Sequence, residues 1–406
     1  MPGQSHPVCY TAPLMPPAPL TLILNADVHA PEPLGLCSLL LGGGRVLWLG
    51  EGRPQLDARL MVAQVDLQGR PLVPGLIDGH AHLTGGGGES GFASKVPAPM
   101  LTAYTLAGVT SVIGVLGTDD CTRSSAELLA RTRALVEEGL SAWCLTGGYH
   151  VPPVTVTGSV RGDIVHVDRI IGLGELALSD HRSSQPTLGE LLRLASDVHV
   201  AGLMTGKGGA LHLHLGDGER GLALVREALA LSELPARCFH PTHVNRREAL
   251  FVEALAHAAA GGVIDLTAVE GDDDDEAGIT AAAGFIRYQD AGLPPERLTI
   301  SSDCGGCLPR FDAEGRVVHM EVGRSASLLA CLRDLLGQGV ALTDALAPFT
   351  SNVARHWRLP GKGRIAVGQD ADLLAFGTGM GVSDLWAGGQ RLVEDGCAVV
   401  KGRFET

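Results

Sequence analysis

A chain of 406 residues, 45% hydrophobic and only 19% charged, can bury a large core, and 55 glycines cut it into many short elements; this composition excludes a disordered chain or a coiled coil. The net charge of -14 leaves no basic face for phosphates and excludes nucleic acid as a partner. Nine scattered cysteines, no basic segment before the apolar run at 20–24, and no apolar stretch of membrane-spanning length lead us to expect a cytoplasmic protein without signal peptide, membrane insertion or disulfide framework.

Short β segments are predicted at 20–24, 37–41, 45–49 and 61–65, separated by turns such as Gly42-Gly-Gly44 and Gly50-Glu-Gly52. A matching pattern returns at 372–376, 384–387, 390–393 and 397–400. The two ends are therefore expected to build one small β-sandwich domain from residues 1–73 and 360–406. Residues 74–359 alternate instead. Strand-like runs lie at 76–78, 111–115, 142–145, 169–173, 210–215, 236–239, 263–266 and 298–301, with helical stretches such as 125–138, 187–201, 221–231 and 325–336 between several of them. Eight strands with crossover helices predict an α/β fold, a (β/α)8 TIM barrel. The acidic run at 272–276 reads as a solvated loop.

Four signals for chemistry fall at predicted strand ends. In Pro74-Gly-Leu-Ile-Asp-Gly-His80-Ala-His82 the two histidines project to one face of a strand, which at the C-terminal end of a barrel strand is the mouth of an active site. His212-Leu-His214 repeats the spacing, Cys238-Phe-His240-Pro-Thr-His243 follows the next strand, and Ile300-Ser-Ser-Asp303 ends the last. Imidazole and carboxylate are ligands suited to divalent metals of zinc type. His212, deeper in its strand, and His240 read as structural.

Taken together these residues resemble the metal set of the amidohydrolase superfamily. The finer pattern is similar to the bacterial isoaspartyl dipeptidase family: Leu83-Thr-Gly-Gly-Gly-Gly-Glu89, Gly117-Thr-Asp119, Gly148-Tyr-His-Val-Pro152, Leu178-Ser-Asp-His-Arg-Ser183, Pro241-Thr-His-Val-Asn-Arg246 and Gly363-Arg-Ile-Ala-Val-Gly-Gln-Asp-Ala-Asp-Leu373. The resemblance implies two divalent ions per subunit, most simply Zn2+, one on His80 and His82 and the other on His214 and His243. Asp303 would join the first ion and act as general base and acid. The family bridges its metals with a carboxylated lysine seven positions before the arginine of Ser-Asp-His-Arg-Ser; here that position is Glu175. Glutamate offers the same carboxylate head on a shorter arm, so Glu175 is expected to bridge if its backbone moves inward, with Gly172 and Gly174 easing the move. Lys207 precedes a strand and is not a substitute.

The resemblance also implies a dipeptide as small-molecule substrate and a homo-oligomeric assembly. Glu89 would take the α-ammonium, Arg246 the isoaspartyl carboxylate and Arg182 the terminal carboxylate, a set that matches the charges of an isoaspartyl dipeptide. Gly87, Gly88 and Thr118 would line the pocket and Tyr149 would help polarise the carbonyl. Cys307 stands where the family has a substrate-contacting serine. The alternatives are an amidohydrolase acting on cyclic amides or N-acyl amino acids, or an inactive barrel used as a scaffold.

Overall fold

The computed structural model describes residues 20–269, 278–311 and 317–406; the acidic run at 272–276 lies outside the described residues. The apolar runs of the middle region become six parallel strands, hydrogen-bonded in chain order: Leu76–Ala81, Val109–Gly114, Ser141–Thr146, Ile170–Leu178, Leu211–Leu215 and Phe239–Thr242. A separate parallel pair, Ile264–Thr267 with Leu298–Ser301, follows. Backbone hydrogen bonds link this pair to the larger sheet on both sides, His82 N to Cys304 O at 2.7 Å and Val244 N to Asp265 O at 3.4 Å. The third-last predicted strand is displaced: residues 236–238 form a 3-10 turn and the strand runs over Phe239–Thr242. Pro241, which lacks an N–H, sits inside the strand.

Helices cross between the strands with their apolar faces inward. Leu188–Thr205 is delimited by its own sequence: Thr187 and Glu190 form a reciprocal capping box, and Gly206, at φ 75°, ends it in the left-handed region. Leu191, Leu194 and Val198 from this helix join strand residues such as Leu173, Leu176 and Leu213 in the main core. A second cluster, with Ile77, Ile113, Leu145 and Ile171, packs on the inner side against Val353 and Trp357 of the helix Ser351–Trp357. No helix among the described residues is long and apolar enough to cross a membrane.

The described terminal segments build one nine-stranded sheet from Thr21–His29, Pro33–Gly42, Arg45–Gly50, Ala63–Asp66 and Pro71–Pro74 with Leu373–Phe376, Val382–Ala387, Gln390–Glu394 and Cys397–Ala398. Pro71–Pro74 joins the halves, pairing parallel with Thr21–His29 and antiparallel with Leu373–Phe376. A hairpin, Cys307–Phe311 with Val317–Val322, extends from the segment after Asp303.

Candidate metal centre and substrate cavity

His80 and His82 leave the same face of their strand and end buried beside Asp303. The loop carrying Asp303 is fixed by Asp78, two residues before His80. Asp78 accepts hydrogen bonds from the backbone N–H of Ser302 at 3.1 Å and from the hydroxyls of Ser302 and Ser325. Gly306 leaves the space that Asp303 needs, since a Cβ there would lie 2.3 Å from Asp303 Oδ1. Asp303 Oδ1 comes to 3.3 Å from His80 Nε2 and 3.0 Å from His82 Nε2.

Glu175 is the hub. Its Oε1 is 3.4 Å from His82 Nε2, and its Oε2 is 3.6 Å from His80 Nε2, 3.2 Å from His214 Nδ1 and 3.5 Å from His243 Nε2. The short side chain reaches this point because its strand carries a bulge: Leu173 to Leu176 on one strand is matched by only Leu211 to Leu213 on its neighbour. The extra residue falls at Gly174–Glu175. Gly174, at φ 155°, has no room for a Cβ, which would stand 2.7 Å from His212 Cβ and 2.8 Å from His212 O.

Among the described residues, three sets of side chains are each close enough to share one ion: His80, His82 and Glu175; Glu175, His214 and His243; and His80, His243 and Asp303. The buried His80 Nε2, Glu175 Oε1 and Asp303 Oδ1 have no hydrogen-bond partner among the described residues. A buried polar atom left so costs about 1–3 kcal/mol, and cations among these donors would satisfy this set. The electrostatics are strongly coupled. Burial works against the His80 imidazolium, but Glu175 and Asp303 outweigh it and raise the pKa to about 9. Burial also opposes ionisation of Asp303 and Glu175, yet the neighbouring histidines hold both carboxyls well below the usual range. His243, desolvated, falls to about 3.

One cavity beside this centre is lined by Gly87, Glu89, Thr118, Tyr149, Arg182, Arg246 and Cys307, together with His82, His214 and Asp303. Gly88 is not part of the lining; it faces Asp119 and Lys95. Glu89 and Arg182, expected to hold opposite ends of a substrate, meet each other at 3.2 Å. Arg182 also forks onto Asp180, with Nε 3.0 Å from Oδ1 and an Nη 2.8 Å from Oδ2. Arg246, partly exposed, has an Nη 3.7 Å from Asp217. The Tyr149 hydroxyl lies 2.8 Å from His214 Nδ1, and burial drives its phenol well above the ordinary value, so it stays protonated. Burial likewise pushes the Cys307 thiol up to about 11. Lys207 is elsewhere, its ammonium capped by the carbonyls of Ile164 and Val167.

Asp180 is a partner that the sequence did not mark out, and His212, expected to be structural, also touches the centre. Asp180 stands 3.0 Å from His214 Nε2 while gripping Arg182, so it ties the metal centre to the cavity; its place two residues before Arg182 was the available signal. His212 Nε2 lies 2.7 Å from His80 Nδ1.

No family model matches the chain. In sequence it is 26% identical to the imidazolonepropionase of Anaeromyxobacter sp. (strain K), over 94% of each chain. Its fold is shared with the dihydropyrimidinase of Brevibacillus agri NCHU1002, at 16% identity and a TM-score of 0.64, over 94% of this chain and 96% of that one. Much nearer is the β-aspartyl dipeptidase of Fervidobacterium islandicum AW-1, solved in complex with a β-Asp-Leu dipeptide. It is 39% identical with a TM-score of 0.90, over 95% of this chain and 98% of that one. On that likeness, which runs through nearly the whole of both chains, the protein belongs to the β-aspartyl dipeptidase family of the amidohydrolase superfamily.

Proposed function

We propose that this protein hydrolyses the β-aspartyl amide bond of dipeptides with two divalent cations, zinc by ligand type. His80, His82 and Asp303 would hold one and His214 and His243 the other, with the Glu175 carboxylate shared between them. The observation that carries the reading is a single buried carboxylate facing four imidazoles at 3.2–3.6 Å, beside a cavity walled by Glu89, Arg182 and Arg246. The β-Asp-Leu bound by the Fervidobacterium relative supports the substrate class. The same reading takes residues 74–359 as a closed (β/α)8 barrel and the terminal sheet, from 1–73 and 360–406, as a small β-sandwich. It also takes the protein as a cytoplasmic homo-oligomer.

When bound, such cations supply a Lewis acid for the amide carbonyl and bring a water's pKa toward neutrality. The chain's own residues do the rest. Asp303, held ionised by its histidine neighbours, takes the water's proton and returns it to the leaving amine. Tyr149, a protonated phenol in the cavity wall, donates to the oxygen on which charge develops. Glu89 and Arg182 neutralise each other without substrate. An incoming ammonium would take over Glu89 as a carboxylate takes the freed edge of Arg182, so no buried charge is left unpaired. Arg246 would hold the second carboxylate, and this orientation contributes through proximity.

Likeness to imidazolonepropionase over 94% of both chains favours a cyclic amide as the second reading. The test is turnover of β-Asp-Leu by zinc-loaded protein beside 4-imidazolone-5-propionate, dihydrouracil and hydantoin. A preference for β-Asp-Leu is expected; a preference for a cyclic amide would overturn the assignment.

A further inference from the structure

The second ring nitrogen of His80 begins a line of hydrogen bonds that runs away from the cavity. His80 Nδ1 lies 2.7 Å from His212 Nε2, and His212 Nδ1 lies 2.9 Å from His240 Nδ1. His240 Nε2 is 3.2 Å from Thr299 Oγ1, which is 2.6 Å from Asp265 Oδ1. All five residues are buried. Asp265 also accepts from the hydroxyls of Thr242 at 2.7 Å and Ser301 at 2.5 Å; burial raises its pKa, and the three hydroxyl donors oppose that rise and fit a carboxylate, which only accepts.

The proton positions along this line follow from its Asp265 end. A carboxylate only accepts, so the Thr299 hydroxyl donates to Asp265. Its alternative acceptor, Ile264 O, is farther away at 3.3 Å. The Thr299 oxygen then takes the proton of His240 Nε2. A neutral imidazole carries one N–H, so His240 Nδ1 is bare and accepts from His212 Nδ1. His212 Nε2 is bare in turn and accepts from His80 Nδ1. A neutral His80 is thereby left with its lone pair on Nε2, the atom that faces Glu175 and Asp303 and has no hydrogen-bond partner among the described residues. The opposite polarity would place the proton on that nitrogen, against any cation.

We propose that Asp265, Thr299, His240 and His212 form a proton-ordered relay that fixes the tautomer and ring plane of His80 as a metal ligand. They are positioning residues, and the two histidines that read as structural in the sequence gain a role. Second-sphere partners of this kind typically carry about 10–100-fold in metal affinity; here the partner carboxylate acts through three intervening side chains. The inference rests on the metal reading above.

The test is zinc affinity by chelator competition, with ring 15N spectra of histidine-labelled protein. His212→Met, which removes the acceptor but keeps the bulk, should weaken one of the two sites by about 10–100-fold. His212→Gln, whose amide oxygen can accept from His80, should recover most of that loss, which a packing role alone would not predict. Thr299→Val, isosteric and remote from the centre, should weaken the same site to a smaller degree. The wild-type spectrum, which needs no variant to fold, should show the proton of His212 on Nδ1 and that of His240 on Nε2. Unchanged affinity in His212→Met and Thr299→Val, or the reverse tautomers, would overturn the relay while leaving the metal centre standing. Wild-type protein that takes up no zinc would overturn both.

Discussion

Replacing Glu175 by glutamine asks how much one carboxylate holds together. The amide keeps the size of the side chain but removes its charge. Oε1 and Oε2 between them face His82, His80, His214 and His243 at 3.2–3.6 Å, all buried. Removing one partner from a buried charged set costs about 3–5 kcal/mol. At about 1.4 kcal/mol per tenfold, metal association should weaken by roughly two to four decades. Because Glu175 belongs to both His80–His82 and His214–His243 sets, the loss should reach both ions. The assay is dialysis of wild-type and Glu175→Gln protein against buffered zinc, followed by elemental analysis and circular dichroism to verify the fold. Wild type should approach two ions per chain and the variant one or none. A folded Glu175→Gln protein that keeps two ions at wild-type affinity would refute the hub.

Asp303→Asn preserves shape but removes the proton acceptor, so kcat for β-Asp-Leu should fall by roughly 10²–10⁴-fold; little loss in metal-loaded variant protein would assign the base elsewhere. Gly174→Ala forces a Cβ to within 2.7 Å of His212 Cβ at a φ of 155°. Overpacking and backbone strain together should destabilise by about 2–5 kcal/mol, measured by urea unfolding, and zinc uptake should fall with it. An unchanged midpoint would mean that the bulge is not needed to seat Glu175.

Much of this was legible in the chain because the informative residues obey strand periodicity. His80 with His82 and His212 with His214 sit two apart, so a strand puts each pair on one face, and alternation of apolar runs with helices gave the α/β class. Glu175 was legible only as a carboxylate in the right place. Its reach depends on the bulge, which turns Leu173 and Leu176, three apart, into the same core, a departure from alternation that residue types alone do not reveal. The pairing of Glu89 with Arg182 joins residues 93 positions apart and is a product of the tertiary structure. The expected strand at 236–239 runs instead over Phe239–Thr242, with Pro241 inside it, since a parallel strand can forgo one N–H. His212 looked structural from its depth in the strand, and the partner of His240, Thr299, and the carboxylate behind it, Asp265, come from strands far along the chain.

The central claim, that the cavity reads a β-aspartyl dipeptide by its charges, is tested most directly by kcat/KM for matched β-Asp-Leu and α-Asp-Leu. In the α isomer the free carboxylate and the scissile carbonyl exchange places, so seating one misplaces the other and leaves an arginine unpaired. Removing one partner from a buried pair costs about 3–5 kcal/mol; Arg246 is partly exposed, so a smaller share, about 2–3 kcal/mol, is expected. Wild type should therefore prefer the β isomer by roughly 10²-fold, and Arg246→Met should lower kcat/KM for β-Asp-Leu and shrink that preference. Equal turnover of the two isomers by zinc-loaded wild-type protein would contradict the account.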